Sequence, residues 1–121
     1  MPKSILIADS SGPARIATRR SLESQPGLHV CCEAVDGLDA IEKARRLRPD
    51  LIILALSMPG LNGFDAAREL RAMMIGVPII LFTLYADAIP PQDAEVAGIN
   101  AVVCKTDPQA LKHHVKKLLA A

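Results

Sequence analysis

Five side chains that could do chemistry follow short apolar runs, at points where a buried strand would give way to a loop. They are Asp9, Ser10, Ser57, Thr83 and Lys105. A carboxylate such as Asp9 can ligate a hard cation such as Mg²⁺. A hydroxyl such as that of Ser57 needs a general base to react, and none is evident beside it. The strand DLIILA ends at Ala55, whose methyl group has no chemistry at a position that would display it.

The elements that must position these residues are predicted from the hydrophobic pattern. Five apolar runs of four to six residues recur along the chain, and the third to fifth are nearly continuous in aliphatic residues. Strands that are buried on both faces have this pattern. The runs are Ile5–Ala8, His29–Ala34, Leu51–Leu56, Val77–Phe82 and Ala101–Cys104.

Amphipathic helical patterns separate the runs. A weak first helix is predicted over roughly Ala14 to Ser24. The last helix follows Asp107, a good N-cap, and has Pro108 as its first residue. The predicted inner faces are Ala14, Ala17, Thr18, Ser21 and Leu22 in the first helix, Leu38, Ile41, Ala44 and Leu47 in the second, Phe64, Ala67, Leu70 and Met74 in the third, and Leu111, Val115 and Leu118 in the last.

The fourth helix is predicted to be displaced. Pro90 and Pro91 fall where it should begin, and proline suits a first turn but not a helix interior. The helix should therefore begin at about Pro91 or Gln92, stay short, and end by Gly98, a good C-cap residue. The segment Leu84–Pro91 is then predicted to be a long loop.

Strand and helix alternate five times, which predicts a three-layer α/β fold with a doubly wound parallel sheet, formed by one domain over residues 1–121. Such sheets place their functional crevice at the carboxyl ends of the strands. The five reactive side chains and Ala55 are expected to meet there.

Composition limits the classes of partner. The formal net charge is +1, so no strong field attracts nucleic acid or a membrane. Basic clusters on the predicted helices are interpreted as solvated faces: Arg15, Arg19 and Arg20, then Lys43, Arg45, Arg46 and Arg48, then Lys112, Lys116 and Lys117. No signal peptide or membrane span is evident, and the expected location is the cytoplasm.

The three cysteines, Cys31, Cys32 and Cys104, are expected to be reduced thiols. Cys31 and Cys32 are neighbours on a predicted strand, so their side chains should point to opposite faces of the sheet. That arrangement would place them poorly for binding one metal ion.

The wording of the chain resembles that of response-regulator receiver domains, which accept a phosphoryl group from a histidine kinase. The resemblance covers essentially the whole chain and is strongest in ILIADSS, EAVDGLDAIEKARRLRPDLIILALSMPGLNGFDAARELR, PIILFT and GINAVVCKTD. The loop SMPGLNG and the sequence KTD resemble the subfamily usually joined to a helix-turn-helix output domain. The resemblance implies a flavodoxin-like fold with strand order 2-1-3-4-5.

The resemblance also implies roles for the strand-end residues. Asp9 matches the first of two adjacent acids, and Ser10 stands where the second is expected. Thr83 matches the hydroxyl residue that follows the phosphoryl group, and Lys105 matches the lysine that pairs with it. Ser57 matches the residue whose backbone carbonyl ligates the metal. Ala55 occupies the position of the phosphoaccepting Asp, Val102 that of the aromatic switch, and Thr106 that of the usual proline.

These departures predict a pocket that has lost its trigger. Alanine cannot form an acyl phosphate. Two of the three family acids are missing, so Mg²⁺ binding is expected to be weak or absent and no cofactor is predicted. Lys105 should turn to Asp9, because Ala55 offers it no partner. We therefore predict a phosphorylation-independent pseudo-receiver that acts as a protein-interaction module.

Alternatives remain open. The chain could be an ordinary phosphorylatable receiver that carries an engineered Asp-to-Ala change at position 55, although Ser10 and Val102 argue against this. A small-anion or flavin-phosphate binder that uses the N-terminus of the first helix is a weaker alternative. An enzyme is not expected, since no Ser–His–Asp arrangement is evident.

A protein partner is expected on the surface that receivers commonly use, helix 4, strand 5 and helix 5. The partner would be a histidine kinase, an output domain or a second copy of the chain. No nucleic acid is expected to bind this domain itself. The exposed face of the last helix is a second candidate surface, for an acidic partner.

Overall fold

The computed structural model describes residues 2–73 and 76–120, so Met74 and both ends of the predicted domain lie outside the described residues. Its sheet has five parallel strands in the order β2-β1-β3-β4-β5. The strands are β1 (Lys3–Ala8), β2 (Leu28–Ala34), β3 (Leu51–Leu54), β4 (Ile79–Thr83) and β5 (Ala101–Cys104). The predicted sheet and its strand order are confirmed.

Helices cover both faces of the sheet. They are α1 (Gly12–Glu23), α2 (Gly37–Leu47), α3 (Gly63–Met73), α4 (Pro91–Val96) and α5 (Pro108–Ala120). Helices α2, α3 and α4 share one apolar cluster with the sheet, and α1 and α5 share the other. The three-layer architecture follows, because each face of the sheet must bury its apolar side chains against helices.

The central strands are buried on both faces, as their continuous aliphatic runs predict. Ile52 and Leu54 of β3 lie in the apolar cluster that the sheet shares with α2, α3 and α4. Leu51 and Ile53 lie in the cluster that it shares with α1 and α5. Each fully buried Leu or Ile side chain contributes about 1.5–3 kcal/mol through removal from water. The aliphatic core therefore holds the carboxyl ends of the strands in place.

The prediction for α4 is confirmed. The helix begins at Pro91 and ends at Val96, because Pro90 and Pro91 fit only its entrance. Gly98 follows with a φ of 81°, a left-handed conformation that glycine adopts without strain. The segment before α4, which was predicted to be all loop, contains a turn of 3₁₀-helix at Ala86–Ala88.

The predicted inner face of α2 is half wrong. Ile41 and Ala44 are buried, but Leu38 is 67% exposed and Leu47 is 44% exposed. Residues three apart fall about 60° behind a full helical turn, so a series of such steps drifts around the helix. The buried face is completed instead by Gly37 and Ala40, small residues that let α2 approach the rest of the domain closely.

The other helices differ from prediction in smaller ways. Helix α1 begins at Gly12, two residues earlier than predicted, and its buried residues are Thr18 and Leu22. Ala17 is exposed, contrary to prediction, and borders a cleft of about 340 Å³ between α1 and α5. At α5 the prediction is confirmed: Oδ1 of Asp107 accepts the backbone N–H of Ala110 at 3.0 Å.

The prediction that Cys31 and Cys32 point apart is wrong. Val30 pairs with Ile5, and Cys32 pairs with the next residue of β1, so Cys31 is an extra residue in β2. This β-bulge breaks the alternation of side chains. The two Sγ atoms consequently lie 3.3 Å apart.

No helix among the described residues is both long enough and apolar enough to span a lipid bilayer.

Candidate functional site

Asp9 lies at the carboxyl end of β1, in the crevice predicted from the topology. Its backbone N–H donates to the carbonyl of Ala34 at 3.0 Å, which continues the pairing with β2. Its Oδ1 accepts the N–H of Ser11 at 2.9 Å, so the carboxylate also shapes the turn into α1. Only 6% of the residue is exposed, and a carboxylate this buried needs a counter-charge.

Lys105 supplies that counter-charge. Its Nζ lies 2.7 Å from Oδ2 of Asp9, which confirms the predicted pairing. The backbone N–H of Lys105 donates to the carbonyl of Thr83 at 3.0 Å, so the end of β4 positions the lysine. The pair thus links the carboxyl ends of β1 and β5, the first and last strands along the chain.

Ala55 lies just beyond β3, with 3% of its surface exposed. Its N–H donates to the carbonyl of Ala8 at 2.9 Å, which places it beside the residue that precedes Asp9. The loop after it folds back tightly, because the N–H of Gly63 donates to the carbonyl of Leu56 at 2.9 Å. A methyl group therefore occupies the position at which this edge of the sheet would display a reactive group.

The remaining predicted residues are only partly brought together. Thr83 is buried, and its Oγ1 accepts the N–H of Tyr85 at 3.1 Å. Val102 is half-buried and packs against the apolar cluster that the sheet shares with α2, α3 and α4. Ser10 and Ser57 are exposed. Within residues 2–73 and 76–120, no hydrogen bond joins the side chain of either serine to the Asp9–Lys105 pair.

Sequence reasoning missed Arg15. Its guanidinium donates to the backbone carbonyl of Asp9 at 2.5 Å and to Oε1 of Glu33 at 3.1 Å. The side chain is only 17% exposed, so its interpretation as part of a solvated basic face is wrong. Arg15 braces the backbone at Asp9 from α1. The signal in the sequence was Glu33, a single acid in the otherwise mainly apolar strand LHVCCEA.

The same carboxylate binds a second arginine. Nη1 of Arg19 lies 2.8 Å from Oε2 of Glu33, although 41% of the Arg19 side chain is exposed, so this residue is both solvated and paired. Hydrogen bonds from Arg19 and then Arg15 hold the pKa of Glu33 below its usual range, against the opposing effect of burial. Glu33 thus remains ionised and ties α1 to the edge strand β2.

The second basic cluster is also partly engaged. Nζ of Lys43 donates to the backbone carbonyl of Glu33 at 2.6 Å and lies 3.1 Å from Oδ2 of Asp39. Burial opposes ionisation of Asp39, but its hydrogen bonds from Val35 and Lys43 leave its pKa lowered overall. Lys43 therefore fastens α2 to the end of β2 rather than being simply solvated.

The donor set at the crevice does not suit Mg²⁺. This cation prefers several oxygen ligands, usually including carboxylates. Asp9, the acid that the described residues place here, is already engaged by Lys105 and by the N–H of Ser11. Ala55 adds no oxygen ligand from its side chain. The described residues contain no group of three or more His, Cys, Asp or Glu side chains arranged to hold a metal ion.

The start of α1 is also poorly suited to an anion. The hydroxyl of Ser11 accepts the N–H of Ala14 at 3.2 Å, and the N–H of Ser11 is bound by Asp9. Pro13 has no N–H to donate. Two of the N–H groups at this helix start are thus used locally and a third is missing, beside a carboxylate that repels anions.

Comparison with known proteins agrees with this architecture. The chain is 30% identical over 106 residues to the response regulator protein VraR of Staphylococcus saprophyticus, covering 88% of this chain and 51% of that protein. It is 39% identical over 102 residues to protein-glutamate methylesterase/protein-glutamine glutaminase 3 of Paramagnetospirillum magneticum, covering 84% of this chain and 28% of that protein. The chain thus spans about half the length of the first relative and less of the second.

A solved structure gives the same result. The crystal structure of a two-component response regulator of the LuxR family from Aurantimonas sp. SI85-9A1 superposes with a TM-score of 0.90 at 31% identity, covering 99% of this chain and 86% of that one. The family model of the response regulator receiver domain matches residues 5–116. With its five-stranded parallel sheet and the strand-end crevice, this chain belongs to the response regulator receiver domain family.

Proposed function

We propose that this receiver domain works without phosphorylation and regulates through protein–protein contact. The observation that carries the proposal is the ion pair between Lys105 and Asp9 at 2.7 Å, next to a strand end occupied by Ala55. The resemblance implies that other family members have a phosphoaccepting Asp at that strand end. Here the lysine that would pair with a phosphoryl group is already paired with a carboxylate of the chain.

Chemistry supports the same conclusion. Formation of an acyl phosphate needs a carboxylate oxygen to attack phosphorus, and the side chain of Ala55 has no oxygen. Phosphoryl transfer also relies on cations that neutralise the charge on the phosphoryl oxygens. We infer that Mg²⁺ binds weakly, because only Asp9 remains of the family acids and Lys105 neutralises it.

Acetyl phosphate, a small phosphoryl donor, tests this proposal directly. The protein is incubated with acetyl phosphate and Mg²⁺, and intact mass is measured at successive times. No phosphate adduct is expected. A stable adduct of one phosphate would overturn the proposal, and fragmentation would then show whether Ser57 or another residue carries it.

The alternative is an ordinary receiver that carries an Asp-to-Ala change at position 55. Two variants distinguish the proposals: Ala55→Asp alone, and Ala55→Asp combined with Ser10→Asp. If the pocket has lost its metal site as well as its nucleophile, the single variant stays largely unmodified and the double variant regains phosphorylation. Ready phosphorylation of the single variant would favour the alternative.

The surface formed by α4, β5 and α5 is the proposed contact surface for a protein partner. Support comes from apolar side chains beside it: Val96 on α4 is 78% exposed, and Leu84 and Tyr85 after β4 are 61% and 60% exposed. The fixed charge pair in the crevice implies that this surface stays in one state. Histidine kinases, output domains and a second copy of the chain are the candidate partners.

Sedimentation tests the self-association arm of this proposal. Sedimentation velocity over a range of concentrations is compared for the unmodified protein and Val96→Asp. A dimer that Val96→Asp weakens would identify a second copy as the partner. A monomer throughout would leave a kinase or an output domain, and equal dimerisation of both proteins would place the contact elsewhere.

A further inference from the structure

The bulge in β2 creates a pair of thiols at the edge of the sheet. Cys31 is the extra residue of the bulge, and its Sγ lies 3.3 Å from Sγ of Cys32. Both residues are half-buried and neither forms a disulfide. β2 lies at one end of the sheet, so its outer edge pairs with no further strand among the described residues, and both half-buried thiols keep some exposure to a small reagent.

The surroundings of Cys32 favour its neutral, protonated form. Cys32 packs against the apolar cluster that the sheet shares with α2, α3 and α4. The nearby amine of Lys43 is occupied by the carbonyl of Glu33 and by Asp39. Burial, and then the hydrogen bond with Cys31, raises the pKa of Cys32 to about 12. At neutral pH, Cys32 is therefore a protonated thiol.

The separation of the sulfurs selects the kind of atom that could bridge them. An atom bonded to both sulfurs at about 2.3 Å, the zinc–sulfur distance, would have a sulfur–atom–sulfur angle of about 90°. That angle is narrower than the tetrahedral geometry zinc prefers. It suits a trivalent metalloid, whose lone pair leaves its three bonds in a pyramid with angles near a right angle.

We propose that Cys31 and Cys32 form a vicinal-dithiol site that binds trivalent arsenicals through two arsenic–sulfur bonds. With an organoarsenic(III) oxide, R–As=O, each thiol sulfur forms one bond to arsenic. The arsenic–oxygen bond breaks, the two thiol protons go to that oxygen, and one water molecule leaves. Arsenic remains trivalent, so no oxidant or reductant is needed.

This chemistry suits the pair better than two other reactions of paired cysteines. Zinc binding requires both sulfurs as thiolates, which the raised pKa of Cys32 disfavours. Disulfide formation also begins with a thiolate and consumes an oxidant. The arsenic oxide instead supplies the base, because its own oxygen accepts both protons.

Phenylarsine oxide tests the proposal on the reduced full chain. One equivalent is added, and intact mass is measured before and after a challenge with excess glutathione and then with a dithiol. The expected product is a single adduct, heavier than the protein by phenylarsine oxide less one water. It should resist glutathione, since the second bond forms within the protein, and it should be removed by the dithiol.

Single substitutions locate the site. Cys31→Ser and Cys32→Ser should each weaken retention by about 100-fold or more, because the advantage of the second, intramolecular bond is lost. Cys104→Ser is the matched control, since Cys104 is a half-buried thiol on β5, at the opposite end of the sheet from β2, and its Sγ lies 3.0 Å from the hydroxyl of Thr106. That variant should keep the adduct unchanged.

Circular dichroism melting shows that each variant is folded, and sequential labelling of the unmodified protein provides a second readout. If phenylarsine oxide bridges the pair, a maleimide added afterwards labels one cysteine rather than three. Glutathione-resistant binding that survives in Cys31→Ser or disappears in Cys104→Ser would overturn the proposal. So would maleimide labelling of all three thiols after arsenical treatment.

Discussion

Nζ of Lys105 lies 2.7 Å from Oδ2 of Asp9, across 96 residues of sequence, and both side chains are largely buried at the crevice. Asp9 follows β1 and Lys105 follows β5, so the ion pair links the ends of two strands that are not neighbours in the sheet. The pair has two consequences, one for stability and one for ion binding.

Removal of the lysine should destabilise the domain. In Lys105→Met the carboxylate of Asp9 keeps its burial and loses its counter-charge, so the free energy of unfolding should fall by about 1–3 kcal/mol. Urea unfolding measures the change. The double variant Asp9→Asn with Lys105→Met should recover part of the loss, and Lys116→Met on the exposed face of α5 is the control. Unchanged stability of Lys105→Met would contradict a structural role for the pair.

Magnesium should leave the melting temperature of the unmodified protein unchanged at millimolar concentrations. A ligand stabilises a protein only to the extent that its concentration exceeds its dissociation constant, and Asp9 is already neutralised. The variant with Ala55→Asp and Ser10→Asp should show a rise in melting temperature, because three acids then meet at the crevice. Calcium and potassium chloride controls separate metal binding from ionic strength. A clear rise in the unmodified protein would show that the crevice binds Mg²⁺ despite the ion pair.

Acid should remove the stabilising contribution of Glu33. Its pKa is lowered in the folded protein by Arg19 and Arg15, so folding favours the ionised form. The contribution is complete above the unfolded-state pKa of about 4.3 and is lost as pH falls through the lower folded-state pKa.

The measurement for Glu33 is urea unfolding of Glu33→Gln and the unmodified protein between neutral and acid pH. The two stabilities should differ most near neutrality and converge in acid. Glu42→Gln is the matched control, since Glu42 lies on exposed α2 surface with Arg45 3.7 Å away, and such pairs contribute little. A stability gap that does not shrink in acid would refute this account of Glu33.

Two glycines that begin helices should respond oppositely to alanine. A Cβ at Gly63 would collide with the carbonyl oxygen of Ala55 and lie 2.7 Å from Cδ1 of Leu81, whereas at Gly12 its nearest contact is Nη2 of Arg15 at 3.7 Å. Gly63→Ala should therefore lower the free energy of unfolding by about 1–3 kcal/mol. Gly12→Ala should be neutral or stabilising by up to about 1 kcal/mol. Urea unfolding measures both, and equal effects would show that the loop after Ala55 can yield.

The pocket illustrates how far the sequence leads. The carboxyl ends of parallel strands lie at one edge of a sheet, so the alternation of elements was enough to predict that Asp9 and Lys105 lie in one crevice. Their direct pairing was expected from the resemblance to receiver domains, and it is confirmed. The position of α4 was equally accessible, because Pro91 restricts the backbone locally wherever it occurs. These predictions depend on the order of elements and on local stereochemistry.

Arg15 shows what the sequence left undecided. Arginine on a helix favours solvent in general, and only the packing of α1 against β2 brings its guanidinium to Glu33 and to the carbonyl of Asp9. Likewise, Leu38 and Leu47 fit an apolar spacing on α2, but both side chains are exposed to solvent in the folded domain. The choice of face depends on the neighbouring elements, which a single segment does not specify.

The sequence by itself determined the order of strands and helices along the chain, the aliphatic core, and that Ala55, a residue without a nucleophile, stands at the end of the third strand. These features follow from residue types and their local periodicity. Only the tertiary structure decided that Cys31 and Cys32 face each other. Their convergence results from a shift in the pairing of β2 with β1 between Ile5 and Leu6. Register is a property of two strands together, so neither strand's sequence could reveal it alone.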